Sequence, residues 1–189
     1  RAFLYIWNKK NYNFILKNTL SKQGIIISNL IFSYNPSKLF NRKFKRKNFT
    51  IGYVGNARRA RGFHKLPKLI NFIEQKNKKF NYLIQFSKIS DDLIPIKKKL
   101  YELAKINKRI KIIEKYTNNA EFNNILKRID IMPILHDAKE INNVTSGTLY
   151  SCLPYEIPFV IPKGLSFLNN INKFKSFETG KNLNDISSK

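Results

Sequence analysis

The sequence predicts a doubly wound α/β domain built on a parallel, Rossmann-like sheet. Three observations predict it: short apolar runs alternate with helical periodicity from residue 49 to residue 162, the runs are rich in Ile and Val, and two run-to-helix turns are rich in small residues. Parallel strands need long crossovers, and strands covered on both faces read as unbroken apolar runs. Ligands of such sheets lie beyond the carboxyl ends of the strands, where helix amino termini point their N–H groups outward.

The elements are justified in chain order. Residues 1–20 are expected to form a helix with an aromatic stripe, and residues 24–32 (GIIISNLIF) a buried strand. Asn35, Pro36 and Ser37 break regular structure, and the basic stretch up to Asn48 has little apolar periodicity, so a linker or domain boundary is expected at 35–48. On this reading residues 1–40 are the tail of a preceding domain with an inter-domain segment, and residues 41–189 form the Rossmann-like domain. Within the latter, FTIGYV (49–54) is a strand, LPKLINFIEQK (66–76) a helix with Leu66, Leu69, Ile70 and Ile73 on one face, and NYLIQF (81–86) a strand. A helix over about 91–106 leads to the strand RIKIIE. A short helix over about 120–127 then leads to IDIMPI, and a turn of helix over 147–153 leads to IPFVIP.

Composition narrows the partners. The single Cys152 excludes a disulfide within the chain and any multi-cysteine metal site. No apolar run approaches the roughly 20 residues needed to span a bilayer, and the first residues lack a signal-peptide pattern. A cytosolic setting is expected, free or peripheral at the inner face of a membrane. The net charge of +24, from 36 Lys and Arg against 12 Asp and Glu, attracts nucleic acid, anionic lipid or phosphorylated ligands. The lysines are spread along a chain equally heavy in Asn and Ile, the pattern of a biased base composition, but the basic runs at 41–48 and 95–112 also suit an anionic membrane surface.

The chemistry concentrates in the two small-residue turns. In residues 52–66 (GYVGNARRARGFHKL) a strand meets Gly55, then Arg58, Arg59, Arg61 and Gly62, then a helix. In residues 142–162 the turn carries Ser146, Gly147 and Thr148 at a helix start. Arginine forks give bidentate bonds to phosphate oxygens and keep their charge at every working pH. A nucleoside diphosphate leaving group gathers negative charge as its bond to a sugar breaks, and a fixed cation stabilises it without a metal ion or other cofactor. The Ser146–Thr148 turn adds backbone N–H donors, or simply caps a helix. Thr117 and Asn118, at another strand end, either meet a base or ribose or cap the next helix. His136 follows IDIMPIL on the cleft side of the sheet, as a sugar contact or an ordinary loop residue. Neither histidine has a metal partner at ligand spacing. Cys152, inside an apolar helix, is expected to pack in the core.

These residues resemble the carboxy-terminal, nucleotide-sugar-binding domain of two-domain GT-B glycosyltransferases, in particular the retaining group 1, or family 4, type. The resemblance covers most of the chain. The family's strand–glycine–basic residue–Lys/Arg-Gly order is matched by Gly55, Arg58 or Arg59, and Arg61-Gly62. Its aspartate-led strand ending in proline, small turn, helix and Pro-Val-Val strand are matched by Asp130, Ser146-Gly147 and Pro158-Phe159-Val160. Residues 25–40 resemble the segment that passes between the two domains. Many members carry two glutamates eight positions apart around the second turn. Here Asn143 and Ser151 stand in those places as candidate sugar or nucleoside contacts, Asn143 able to hydrogen-bond a sugar hydroxyl and Ser151 shorter and uncharged.

The resemblance implies a fragment of a glycosyltransferase that moves a sugar from a nucleotide-diphosphate donor to a glycan or lipid-linked acceptor, metal-independent and with retention. Two other readings stay open: a GT-B-like scaffold without activity, as Asn143 and Ser151 allow, and a basic nucleic-acid-binding module. No helix-turn-helix spacing, zinc knuckle or RNP-like strand supports specific nucleic-acid recognition.

Overall fold

A computed structural model describes residues 3–6, 26–29, 49–76, 80–137, 147–152, 155–165 and 177–189. Strands β1 (Phe3–Ile6) and β2 (Ile26–Asn29) pair in parallel as a two-stranded sheet of their own, Phe3 opposite Ile26. The start of the helix expected over residues 1–20 is thus a strand, in keeping with the β-preference of Phe, Tyr and Ile. The remainder of that stretch and the 35–48 linker lie outside the described residues.

The next elements are β3 (Thr50–Val54), α1 (Leu66–Lys76), β4 (Asn81–Phe86), α2 (Ile94–Ile106), β5 (Ile110–Glu114) and α3 (Asn119–Leu126). They are followed by β6 (Met132–Pro133), α4 (Gly147–Cys152), β7 (Phe159–Pro162), β8 (Phe177–Gly180) and α5 (Leu183–Ile186). Strands β3, β4 and β5 form one parallel ladder in that order, and β6, β7 and β8 another. The two ladders join through a parallel bridge between Ile51 and Ile131, where the Gly52 N–H donates to the Ile131 carbonyl at 2.9 Å. The combined order is β5-β4-β3-β6-β7-β8. The chain winds outward from β3 to β5, returns to the centre at β6 and winds outward again, so the direction reverses between β3 and β6. In doubly wound sheets ligands bind at that reversal.

The inner strands β3, β4, β6 and β7 are buried on both faces because side chains alternate. Tyr53, Tyr82, Ile84 and Phe86 face one core with Leu66, Leu69, Ile70 and Ile73 of α1 and Leu100 of α2. Val54 and Leu83 face the other, with Ile125 and Leu126 of α3 and Leu149 and Cys152 of α4. The apolar spacing of LPKLINFIEQK therefore does what its period predicts. Strand β6 is short, and the buried Asp130 holds its approach in place: its carboxylate accepts the Thr50 N–H at 2.8 Å, and its own N–H donates to the Thr50 carbonyl at 2.8 Å. Strand β8 and helix α5 are not anticipated by the sequence, because FETG carries one apolar side chain and pairs along an edge. Lys76 fastens α5 to α1, its Nζ donating to Asn184 Oδ1 and Ser187 Oγ, both at 3.0 Å.

Candidate functional site

The site is built at the carboxyl ends of β3 and β6. Strand β3 ends at Val54 and the chain turns at Gly55, whose φ of 116° suits glycine. The Gly55 N–H donates to the backbone oxygen and Oε1 of Gln85, both at 3.2 Å. Gln85 is buried and its Nε2 donates to the Lys115 carbonyl at 3.0 Å, so one side chain ties together the ends of β3, β4 and β5. The Arg61 N–H donates to the Arg58 carbonyl at 3.1 Å, and the Gly62 N–H to the Arg59 carbonyl at 2.7 Å. Gly62, with φ of 75°, opens the short 3-10 turn Phe63–Lys65 ahead of α1. A Cβ at Gly62 would lie 2.0 Å from the Leu135 carbonyl oxygen, so only glycine lets the turn lie this close to the end of β6. Phe63 then locks the turn, its ring edge-to-face with Tyr53 at 5.7 Å and with Phe86 at 5.1 Å.

Two distant turns meet here. A Cβ on Gly55 would lie 2.7 Å from Arg61 Nη1 and 3.5 Å from Thr148 Oγ1. The guanidinium therefore lies over the bare Gly55 backbone, next to the first turn of α4. Arg61, His136 and Thr148 line one crevice with Tyr53, Val54 and the end of β6, enclosing about 20 Å³. That space suits a water molecule; a larger ligand meets these groups at its mouth.

The local field is positive. Burial, then Arg61, then Lys65, push the His136 pKa down from 6.5 to about 4, so the imidazole is neutral at neutral pH. Burial raises the Tyr53 hydroxyl well above its ordinary value, with Arg61 opposing the shift. Lys65 flanks the crevice, its Nζ donating to the Leu135 carbonyl at 3.3 Å and pairing with Asp137 at 3.5 Å.

The structure gathers Gly55, Arg61, Gly62, Thr148 and His136 into one locality. Gly147 is exposed at the start of α4. Arg58 and Arg59 are exposed on the same turn, and Arg59 Nε pairs with Asp92 at 3.0 Å. Ser151 is exposed and its hydroxyl donates back to the Gly147 carbonyl at 3.0 Å. Asn118 caps α3: its Oδ1 accepts the Glu121 N–H at 2.9 Å, and the Glu121 carboxylate accepts the Asn118 N–H at 3.2 Å. Thr117 immediately precedes this cap, following the outer strand β5. Ser146 and Asn143 lie outside the described residues. Sequence reasoning passed over Gln85 and Lys65. The signal for Gln85 was present, as the one polar side chain inside the buried run YLIQF.

No family model matches the sequence, and no curated protein sequence matches it. Solved structures do match in fold. The carboxy-terminal domain of a group 1 family glycosyltransferase (LpcC) from Francisella tularensis superposes with a TM-score of 0.63 at 12% identity, over 82% of this chain and 85% of that one. OtsA gives a TM-score of 0.70 at 7% identity, over 98% of this chain and 51% of that one.

The chain has the fold of a GT-B carboxy-terminal domain.

A third GT-B structure, the E. coli trehalose-6-phosphate protein bound with UDP-2-fluoro glucose, gives a TM-score of 0.66 at 8% identity, over 98% of this chain and 51% of that one. The chain thus spans nearly all of the isolated GT-B domain but about half the length of OtsA.

Proposed function

We propose that the chain is the donor-binding part of a glycosyltransferase, holding the diphosphate of a nucleotide sugar at the mouth of the β3–β6 crevice. One observation carries this reading: the Arg61 guanidinium, the bare Gly55 backbone and the Thr148 hydroxyl meet at one point, at the reversal of strand order. Arg61 binds the phosphate oxygens and stabilises the charge that builds on them as the sugar departs, in place of a metal ion. Arg58 and Arg59 strengthen the field from the same turn, and Ser146, Gly147 and Thr148 add backbone and hydroxyl donors. His136, neutral and beside Arg61, offers a ring nitrogen to a sugar hydroxyl, as does the Asn143 amide. Transfer proceeds with retention to a glycan or lipid-linked acceptor, with a second domain closing the cleft.

A second reading has a specific observation in its favour. At a position where the family that the sequence resembles often carries glutamate, Ser151 is short and its hydroxyl is engaged with Gly147, which suits a GT-B-like scaffold that binds a nucleotide without turning it over. Calorimetric titration of the protein with UDP-, GDP- and ADP-sugars, followed by assay for released nucleotide, separates the two. Saturable binding of one nucleotide class with turnover supports the transferase, binding without turnover supports the scaffold, and no binding of any class defeats both.

A further inference from the structure

Among the described residues, Asp130, His136 and Gln85 are the buried polar or charged side chains. Asp130 holds the approach to β6, and His136 lines the crevice. Gln85 is 3% exposed, in the middle strand of its ladder, opposite Val54 on one side and Ile113 on the other. Val54, Leu83 and Ile113 pack into the core that α3 and α4 cover, so a leucine at position 85 would complete the same apolar surface. An amide buried there costs free energy unless both of its ends are bonded.

Both ends are bonded, and to different strands. Oε1 accepts the Gly55 N–H at 3.2 Å, and Nε2 donates to the Lys115 carbonyl at 3.0 Å. The bond to Gly55 is additional to the ladder, because the same N–H also reaches the Gln85 backbone oxygen at 3.2 Å. Further bonds tie the turn to the segment after β4. Asn56 Oδ1 accepts the Ser87 hydroxyl at 2.9 Å, and the Ala57 N–H donates to the Lys88 carbonyl at 2.8 Å. Gln85 carries the connection on to β5. From there it continues through the Lys115 ammonium to Glu121, the partner of the Asn118 cap on α3.

The space above Gly55 gives this bond its consequence. A Cβ there would lie 2.7 Å from Arg61 Nη1 and 3.5 Å from Thr148 Oγ1, so a small displacement of the Gly55 backbone moves the surface on which the guanidinium rests. We propose that Gln85 is a positioning residue for the diphosphate: its amide sets the height of the Gly55 turn at which Arg61 meets Thr148, and locks that turn to the loop after β5. It acts through Arg61 and not by contact with the ligand. The inference deepens the donor-binding reading above and rests on it. The chemistry is particular to an amide, since one end must accept and the other donate. A carboxylate of the same length serves Gly55 but opposes the Lys115 carbonyl, and leucine serves neither.

Titration calorimetry with UDP, GDP and ADP tests it, each variant held below its melting transition so that lost affinity is not lost folded protein. Gln85→Leu is expected to weaken binding about tenfold, and to add much less in an Arg61→Ala background, because both changes act through one guanidinium. Gln85→Glu is expected to bind weakly at pH 8 and to recover, relative to the wild type, toward pH 5, where a protonated carboxyl donates to the Lys115 carbonyl as the amide does. A residue that only stabilised the fold would show neither the loss of additivity nor the recovery. Hydrogen exchange at the Gly55 amide of the free protein needs no nucleotide, and is expected to quicken in Gln85→Leu while exchange at Tyr53 stays as it is. Wild-type affinity in Gln85→Leu, full additivity with Arg61→Ala, a Gln85→Glu ratio that is flat with pH, or unchanged exchange at Gly55 would overturn the proposal. A wild type that binds none of the three nucleotides defeats the donor-binding reading instead, and exchange at Gly55 then decides whether Gln85 sets the turn.

Discussion

Arg61 and Arg59 stand two positions apart in one turn and have different surroundings. Arg61 is half-buried over Gly55, beside Thr148 and His136, whereas Arg59 is exposed and engaged with Asp92. Arg61→Ala is expected to weaken nucleoside-diphosphate binding by about 1–3 kcal/mol, the range for a hydrogen bond to a charged group. Arg59→Ala is expected to change it far less, and isothermal titration of both variants decides; equal losses would mean that the turn acts only through its total charge. His136 gives an independent readout. Its pKa is about 4 in the folded chain against 6.5 ordinarily, so on acidification the unfolded chain takes up the proton first. Stability contributed by the neutral imidazole is complete above pH 6.5 and declines as pH falls toward 4, by roughly 3 kcal/mol at the limit. Urea melts at pH 7 and pH 5 are expected to show this decline in the wild type and a shallower one in His136→Gln. Parallel declines would place the titrating group elsewhere.

At the scale of elements, the period of the apolar residues was enough to locate β3, α1 and β4, because each buries one regular face or both. Signals failed where burial was not expressed in side chains. Strand β8 shows one apolar residue in four and owes its place to pairing with β7, while the first residues were read as helix because an aromatic-rich run fits either period over a short stretch. Asn118 was legible as a helix cap but not its reciprocal bond with Glu121, although Asn-x-x-Glu is the signature of such a box. Asn118→Ala is expected to cost about 1 kcal/mol of stability, as for other N-caps, and to leave nucleotide affinity unchanged. A loss of affinity matching that of Arg61→Ala would instead give the residue a part in recognition. Gln85 illustrates what a linear reading overlooks: its importance comes from its two neighbours in the sheet, and those are set by strand order.

For the whole molecule, the strand order β5-β4-β3-β6-β7-β8 converts two sequence-distant turns into one locality. The sequence showed both turns and their residue types, but not that they share a point, since that depends on β6 returning to pair with β3. The charge of +24 was legible only as a total. Its arrangement sets Arg61 and Lys65 around a neutral His136 in the crevice at one end of the strands. Among the described residues no helix is long and apolar enough to cross a membrane. The most direct test is a crystal structure of the protein with the nucleoside diphosphate that binds it. Phosphate oxygens within hydrogen-bond distance of both the Arg61 guanidinium and the Thr148 hydroxyl are expected; a diphosphate seated away from β3 and β6, or bound with Arg61 turned outward, would contradict the assignment.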